Sequence, residues 1–268
     1  MAFPQFSGKQ DLTPYLSPDQ WVAYLRKAHG WEGLPLLRGV ILTFSPGLFD
    51  RIAAGPGWRE LESPLTGSHS FYVLGAGVNA VGLLGRFGIG APAAANRLED
   101  LAAAGVRRFI AIGLAGALQP EMGIGDLVVC TEAVRDDGVS HHYLPAAAPA
   151  LPSPGLTDRL AGELARPQRP LHRGPTWTID APYRETVEEL QHYRQLGVLT
   201  VEMEAAALAA VAEVRGVEFA AAFTVSDSLA GATWSPHFAD PIVASGLNLL
   251  AEAAVRALRV GPAHESNS

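Results

Sequence analysis

APAAANRLEDLAAAGVRRFIAIGLAGALQP, residues 91–120, contains a complete helix, turn and strand. Pro92 stands near a helix start, where its missing amide is tolerated, and Ala94, Leu98, Leu101 and Ala102 recur at helical spacing before Gly105 stops the helix. VRRFIAI then follows as a continuous apolar strand of the kind buried on both faces. Working upstream, VILTF at 40–44, bounded by Ser45, Pro46 and Gly47, predicts a second buried strand feeding a loop. SPDQWVAYLRKAH at 17–29 predicts an amphipathic helix with Ser17 as N-cap, Pro18 in the first turn and Trp21, Tyr24 and Leu25 on one face. Downstream come a strand at LVVCTEAV, a helix near 183–195, a helix at AALAAVAEVRG, a strand at FAAAFTV and a closing helix at ASGLNLLAEAAVRAL.

Strands alternating with helices predict an α/β fold: a single domain over 1–268 whose central mixed, mainly parallel sheet is flanked by helices. Residues 1–35 form an N-terminal helical extension, PAAAPALPSPG at 145–155 a long loop, and 260–268 a frayed tail. Of 268 residues, 48% are hydrophobic and 18% charged, enough apolar surface for a large core. The formal charge of -7 and the lack of a basic run exclude nucleic-acid binding through phosphate neutralisation. The lone Cys130, in LVVC, reads as a buried strand residue and permits no intramolecular disulfide. With no signal-peptide pattern and no uninterrupted apolar stretch of bilayer length, the expectation is a cytoplasmic protein that engages no membrane.

In parallel α/β sheets ligands lie beyond the carboxyl ends of the strands, and three such places attract attention. In FIAIGLAGALQP the strand reaches Gly113 and Gly116; these glycines either let a ligand lie against the backbone or make a tight turn at positive φ. GAG at 75–77 and GIGAP at 88–92 make no dinucleotide fingerprint, so no cofactor is expected. In TVEMEAAALAAV, Glu202 and Glu204 sit among apolar residues; extended, both carboxylates point one way and match a sugar cis-diol, whereas in a first helical turn they serve its dipole. FAAAFTVSDSL ends in Ser226 and Asp227, and the acid there is either a general acid toward a leaving-group nitrogen or an N-cap. His141 and His142 lack a third ligand at useful spacing, so no metal is expected.

VEMEAA at 201–206 followed by TVSDSL at 224–229 resembles the purine nucleoside and uridine phosphorylase family. FGIGAP at 87–92 with LEDL behind it, and IGLAGALQP then IGDLVV over 112–129, are similar to it as well. The resemblance, spanning roughly residues 38–258, implies that Met203 and Glu204 hold the ribose with Glu202 beside them. It further implies that Asp227 faces the base, that Ala115, Gly116 and Ser226 line the base pocket, and that IDAPY supplies a wall through Tyr183, with Pro182 where a stacking phenylalanine is usual. On this reading Glu204 and Asp227 are the catalytic pair, and a homo-oligomer, a dimer or trimer of dimers, completes the pockets.

The phosphate side departs from the family pattern. Ala111 and Leu114 occupy the positions of its strand arginine and its Ser or Thr, and FSPGLFDR replaces the P-G-D-P-x-R loop, with Leu48 where the arginine would fall. A phosphate dianion needs charge-assisted donors. Gly47, Gly113 and Arg51 are the candidates on this side, with Arg86 and Arg184 as further cations that could rebuild it. The expected activity is phosphorolysis of a nucleoside, with inorganic phosphate as co-substrate, to free base and sugar 1-phosphate. A nucleosidase using water and a non-catalytic nucleoside binder remain alternatives.

Overall fold

The computed structural model describes residues 4, 6, 8–67 and 70–260; the tail at 261–268 lies outside the described residues. Its strands are β1 (Gly39–Thr43), β2 (Trp58–Glu60), β3 (Phe71–Leu74), β4 (Val81–Leu84), β5 (Arg108–Ala117), β6 (Leu127–Asp136), β7 (Leu171–Ile179), β8 (Thr200–Glu202), β9 (Glu218–Ser228) and β10 (Ser235–Pro236). The α-helices are α1 (Pro18–His29), α2 (Pro46–Ala53), α3 (Ala91–Ala103), α4 (Ser140–Tyr143), α5 (Pro154–Leu164), α6 (Val187–Gln195), α7 (Ala205–Arg215) and α8 (Pro241–Arg259).

Among the described residues all ten strands join one sheet in the order β10-β9-β6-β7-β8-β5-β1-β4-β3-β2, and β9 also pairs with β5. Strands β5, β9, β6, β7 and β8 therefore close into a ring, from which β1, β4, β3 and β2 extend as an open wing. The sheet is mixed as expected: its longest ladders, β5 with β9 and β6 with β7, are parallel, while β6–β9, β5–β8 and the β2–β3–β4 edge are antiparallel.

Alternate residues of each central strand face different helix layers, because side chains alternate across a pleated sheet. Phe109 and Ala111 of β5 pack with Leu98 of α3 and Leu208 of α7, whereas Ile110 and Ile112 pack with Leu48 of α2, Leu160 of α5 and Leu250 of α8. This two-sided burial explains why these strands read as unbroken apolar runs. Among the described residues α8 is the one helix whose length and apolarity would suit a membrane span. Its Leu247, Leu250, Ala254 and Leu258 are buried against the sheet, which makes it a core helix.

Several local expectations need correction. Ser17 does cap α1 in a full capping box, but the helix buries Val22 and Leu25; Trp21 and Tyr24 stack on each other at 5.5 Å while largely exposed. Aromatic rings tolerate a wet surface, so the pattern alone did not fix the buried face. Strand β1 feeds a helix and not a loop, since the Ser45 hydroxyl accepts the Leu48 N–H at 3.3 Å and Pro46 occupies the first turn of α2. Strand β5 runs straight through Gly113 and Gly116, neither of which has a positive φ, so the tight-turn reading fails. Cys130 is buried in β6, as its apolar run implies, and burial holds its thiol protonated.

Gly39 opens β1 where the chain passes close to β5. A Cβ there would lie 2.7 Å from the Arg108 carbonyl oxygen and 2.6 Å from Leu258 Cδ2, and backbone cannot yield as a flexible side chain can. Gly39→Ala is therefore expected to destabilise the fold by about 1–3 kcal/mol. A urea midpoint equal to that of the wild type would refute this account of the β1–β5 approach.

Candidate functional site

Strand β5 organises the site by changing partners along one edge. Its first half pairs with β1 from Val40↔Phe109 to Thr43↔Ile112, and its end pairs with β8 at Gly116↔Val201 and Ala117↔Thr200, while β9 runs along its other edge throughout. Between the two ladders, Gly113, Leu114 and Ala115 are paired by β9 alone. Such a split between neighbouring strands is where ligands enter open α/β sheets. Gly113 marks its β1 end and Gly116 its β8 end.

The acids of VEMEAA occupy the β8 end. Strand β8 stops at Glu202 and α7 begins at Ala205, so the segment is both extended and helix-opening, with Glu204 at the N-cap position. The Glu202 carboxylate is committed to the protein on both oxygens. Oε1 accepts the Thr178 hydroxyl at 2.5 Å, and Oε2 accepts the N–H groups of Glu204 and Ala205, each at 2.8 Å. It thus caps α7, a favourable place for an anion at a helix N-terminus. Burial still pushes its carboxyl above the usual range, against those hydrogen bonds. Glu204 Oε1 accepts the Gly90 N–H at 2.5 Å, from the residue that opens α3. Only 7% exposed, Glu204 is pushed well above the ordinary carboxylate range, first by burial and then by the neighbouring Glu202 charge. Met203 is half-buried between the two acids.

Asp227 stands across Gly116 from these acids. The β5–β9 register slips between Ala115 and Gly116, pairing Ala115 with Val225 and Gly116 with Asp227, so Ser226 is the bulged residue. Bulges re-aim side chains, and this one leaves the Asp227 carboxylate beside the Cβ-less face of Gly116, where a methyl would lie 3.2 Å from Oδ2. Asp227 Oδ1 accepts the Ser226 hydroxyl at 2.7 Å, and Oδ2 accepts the indole N–H of Trp234 at 2.7 Å. Because Asp227 lies inside β9 with strand β10 paired to it, the N-cap alternative is overturned.

Trp234 and Glu185 are additional residues here that the sequence did not mark. Half-buried Glu185, between Arg184 and the N-cap Thr186 of α6, has its carboxyl pushed up to about 7 by burial, the Asp227 charge and Glu189. Nothing in PYRET singles it out. Trp234 could have been noticed, as an aromatic residue seven positions after the acid and next to Ser235-Pro236, a pair that can form only a short edge strand.

Ala115, Gly116, Ser226 and Asp227 are neighbours along the β5–β9 pairing, and Gly116 also pairs with Val201 of β8, the strand that ends at Glu202 just before Met203 and Glu204. Tyr183 is fully exposed on the turn Pro182–Arg184. Exposed Arg184 lies on the same turn. At the β1 end, Gly113 abuts Phe44, whose ring would lie 3.5 Å from a Cβ there, and Gly47 is in the first turn of α2. Counting P-G-D-P-x-R from Pro46 and Gly47 puts its arginine at Arg51 and not at Leu48, a correction that restores one cation; Leu48 is a core residue. Arg51 Nε donates to Asn248 Oδ1 at 3.3 Å. Arg86, the one non-glycine with positive φ among the described residues, is ion-paired to Asp50 at 2.5 Å and lies over the Phe49 ring. Ala111 is fully buried under α3 and α7. His141 and His142 lie on α4, where His142 Nδ1 is 2.7 Å from Lys9 Nζ.

The sequence profile described as "Phosphorylase superfamily" matches residues 38–257. Guanosine phosphorylase of Halorubrum lacusprofundi is 33% identical over 190 residues, 70% of this chain and 78% of its own length. Uridine phosphorylase of Haemophilus influenzae is 30% identical over 205 residues, 68% of this chain and 78% of its own. The crystal structure of uridine phosphorylase from Vibrio fischeri ES114 superposes with a TM-score of 0.70 at 25% identity, covering 83% of this chain and 92% of that one.

Proposed function

The chain belongs to the phosphorylase superfamily, and we propose that it is a pentosyltransferase that cleaves the N-glycosidic bond of a purine nucleoside with inorganic phosphate. The observation that supports this reading is the pairing of Gly116 with Val201, the residue before Glu202, on one side and with Asp227 on the other. Glu204 accepts the sugar hydroxyls beside Met203, while Glu202 holds the turn that presents it. Asp227 faces the base with Ala115, Gly116 and Ser226 around it. The acid favours a purine, whose imidazole ring has a nitrogen free to take up a proton as the base departs; a uracil ring has no such nitrogen. Relatives include both a guanosine phosphorylase and uridine phosphorylases, so the choice of a purine rests on the acid.

The phosphate end of this scheme is α2, with Ser45 at its N-cap, Gly47 in its first turn and Arg51 in its last; Phe44, just ahead of it, lies beside Gly113. A phosphate oxygen attacks the anomeric carbon, the bond to the base nitrogen breaks, and its electron pair leaves with the base, which takes a proton at the Asp227 side. Positive charge on the sugar at the transition state is offset by the incoming phosphate and by Glu204. No cofactor enters this scheme. We further propose a homo-oligomer acting in the cytoplasm, to be checked by light scattering and by fractionation.

Base release from guanosine, inosine, adenosine and uridine, with and without millimolar phosphate, tests the reading. Purine release that requires phosphate and yields ribose 1-phosphate is expected. Release independent of phosphate would instead make the protein a nucleosidase, consistent with Ala111 and Leu114 carrying no polar group. Binding without release would leave a nucleoside-binding protein.

A further inference from the structure

Trp234 is more than half exposed, so burial does not account for its position. Its indole N–H donates to a carboxylate oxygen of Asp227, itself only 7% exposed. The bond is made possible by β10, a two-residue strand whose Ser235 and Pro236 pair with Ser228 and Asp227 and bring the indole back over the end of β9. Phe238, also exposed, lies with its ring 6.1 Å from that of Trp234, giving the crevice an aromatic lip. Around the carboxylate, β9 contributes the Ser226 hydroxyl, β5 contributes only the backbone of Gly116, and the turn ahead of α6 contributes Glu185.

A carboxyl group pinned at one oxygen can still turn about its side-chain torsion, whereas one pinned at both cannot. Ser226 holds Oδ1 and Trp234 holds Oδ2. We infer that Trp234 is a positioning residue of the base-cleaving site, fixing the plane of the Asp227 carboxyl through its indole N–H so that the acid meets the purine ring in one orientation. The inference rests on the proposed reading of Asp227 as the base-facing acid. It differs from that reading in assigning a role to an exposed ring that does not touch the reacting atoms. Reaction geometry is sensitive to displacements of this size, so loss of one of two pins affects turnover more than binding.

Trp234→Phe removes the N–H and keeps an aromatic ring on the lip. With a purine nucleoside and saturating phosphate, kcat is expected to fall by about tenfold or more with KM changed less than about threefold, while turnover of any pyrimidine nucleoside that the enzyme accepts is nearly unaffected. An unchanged kcat, or a raised KM with kcat intact, overturns the positioning role; the second result would mean that the ring only contacts the base. A thermal midpoint equal to that of the wild type shows that the variant is folded. The crystal structure of Trp234→Phe gives a readout independent of activity: an Asp227 carboxyl turned away from its present plane supports the inference, and one that keeps it overturns it. A wild-type enzyme that releases no base would refute the proposed function and still leave this structural outcome to decide the role of Trp234.

Discussion

Glu204→Gln is expected to lower kcat/KM for phosphorolysis by about 10²–10³-fold while making the ligand-free protein more stable at pH 8 by about 1 kcal/mol. The first effect, measured at pH 8, where a carboxyl raised to about 8 is partly ionised, follows from losing the anion that offsets charge on the sugar. The second follows from its surroundings: buried beside Glu202, the acid is held above the normal carboxylate range, so its ionised form is disfavoured in the folded state. For a carboxyl raised in this way the native state binds more protons than the unfolded one, and stability is lost as pH climbs from the ordinary range toward the raised value. Glutamine is uncharged throughout, so its advantage should be small near pH 5 and grow toward pH 8. Thermal unfolding at both pH values, with initial rates, checks this. Unchanged activity would remove Glu204 from the ribose site, and a variant less stable at pH 8 would refute the account of its burial.

Asp227→Asn is expected to slow purine nucleosides by about 10²–10³-fold and pyrimidine nucleosides by less than about tenfold. The amide keeps the shape of the side chain but must direct either its oxygen or its NH2 group at each of two donors, the Ser226 hydroxyl and the Trp234 indole N–H. One of those bonds is therefore lost along with the charge. Specificity constants for guanosine and uridine measured on the same preparations separate the possibilities. Equal losses would mean that the residue only ties β9 to β10.

The sequence was most legible where one physical cause dominated. The apolar runs of β1, β5, β6 and β9 announced a sheet covered on both faces, and Pro92, Gly105 and Ser17 marked helix ends through backbone chemistry that acts locally. Strands β8 and β10, with three and two residues, are too short to carry a period and form because β7, β5 and β9 offer them partners. The wing strands β3 and β4 are short for the same reason. Within the site, the residue types at 202, 204 and 227 were visible, but their division of labour was not. Whether Glu202 serves the helix or a ligand depends on Thr178, 24 residues away, and on the amides that follow it. The Ser226 bulge is a matter of register between β5 and β9, which no local pattern records.

The placement of β9 has a consequence for how the protein is made. Residues 218–228 lie against β5 along its whole length, joining positions about 110 apart in the chain, and also against β6. Until that segment emerges, a nascent chain carries the apolar edges of two strands with nothing beside them, the kind of surface that recruits other unfinished chains. Contacts of such long sequence separation form late and slowly. Premature termination before Glu218 would thus yield an aggregation-prone product and not a smaller enzyme, and growth temperature should affect the yield of correctly folded material more strongly than the stability of the finished fold would indicate.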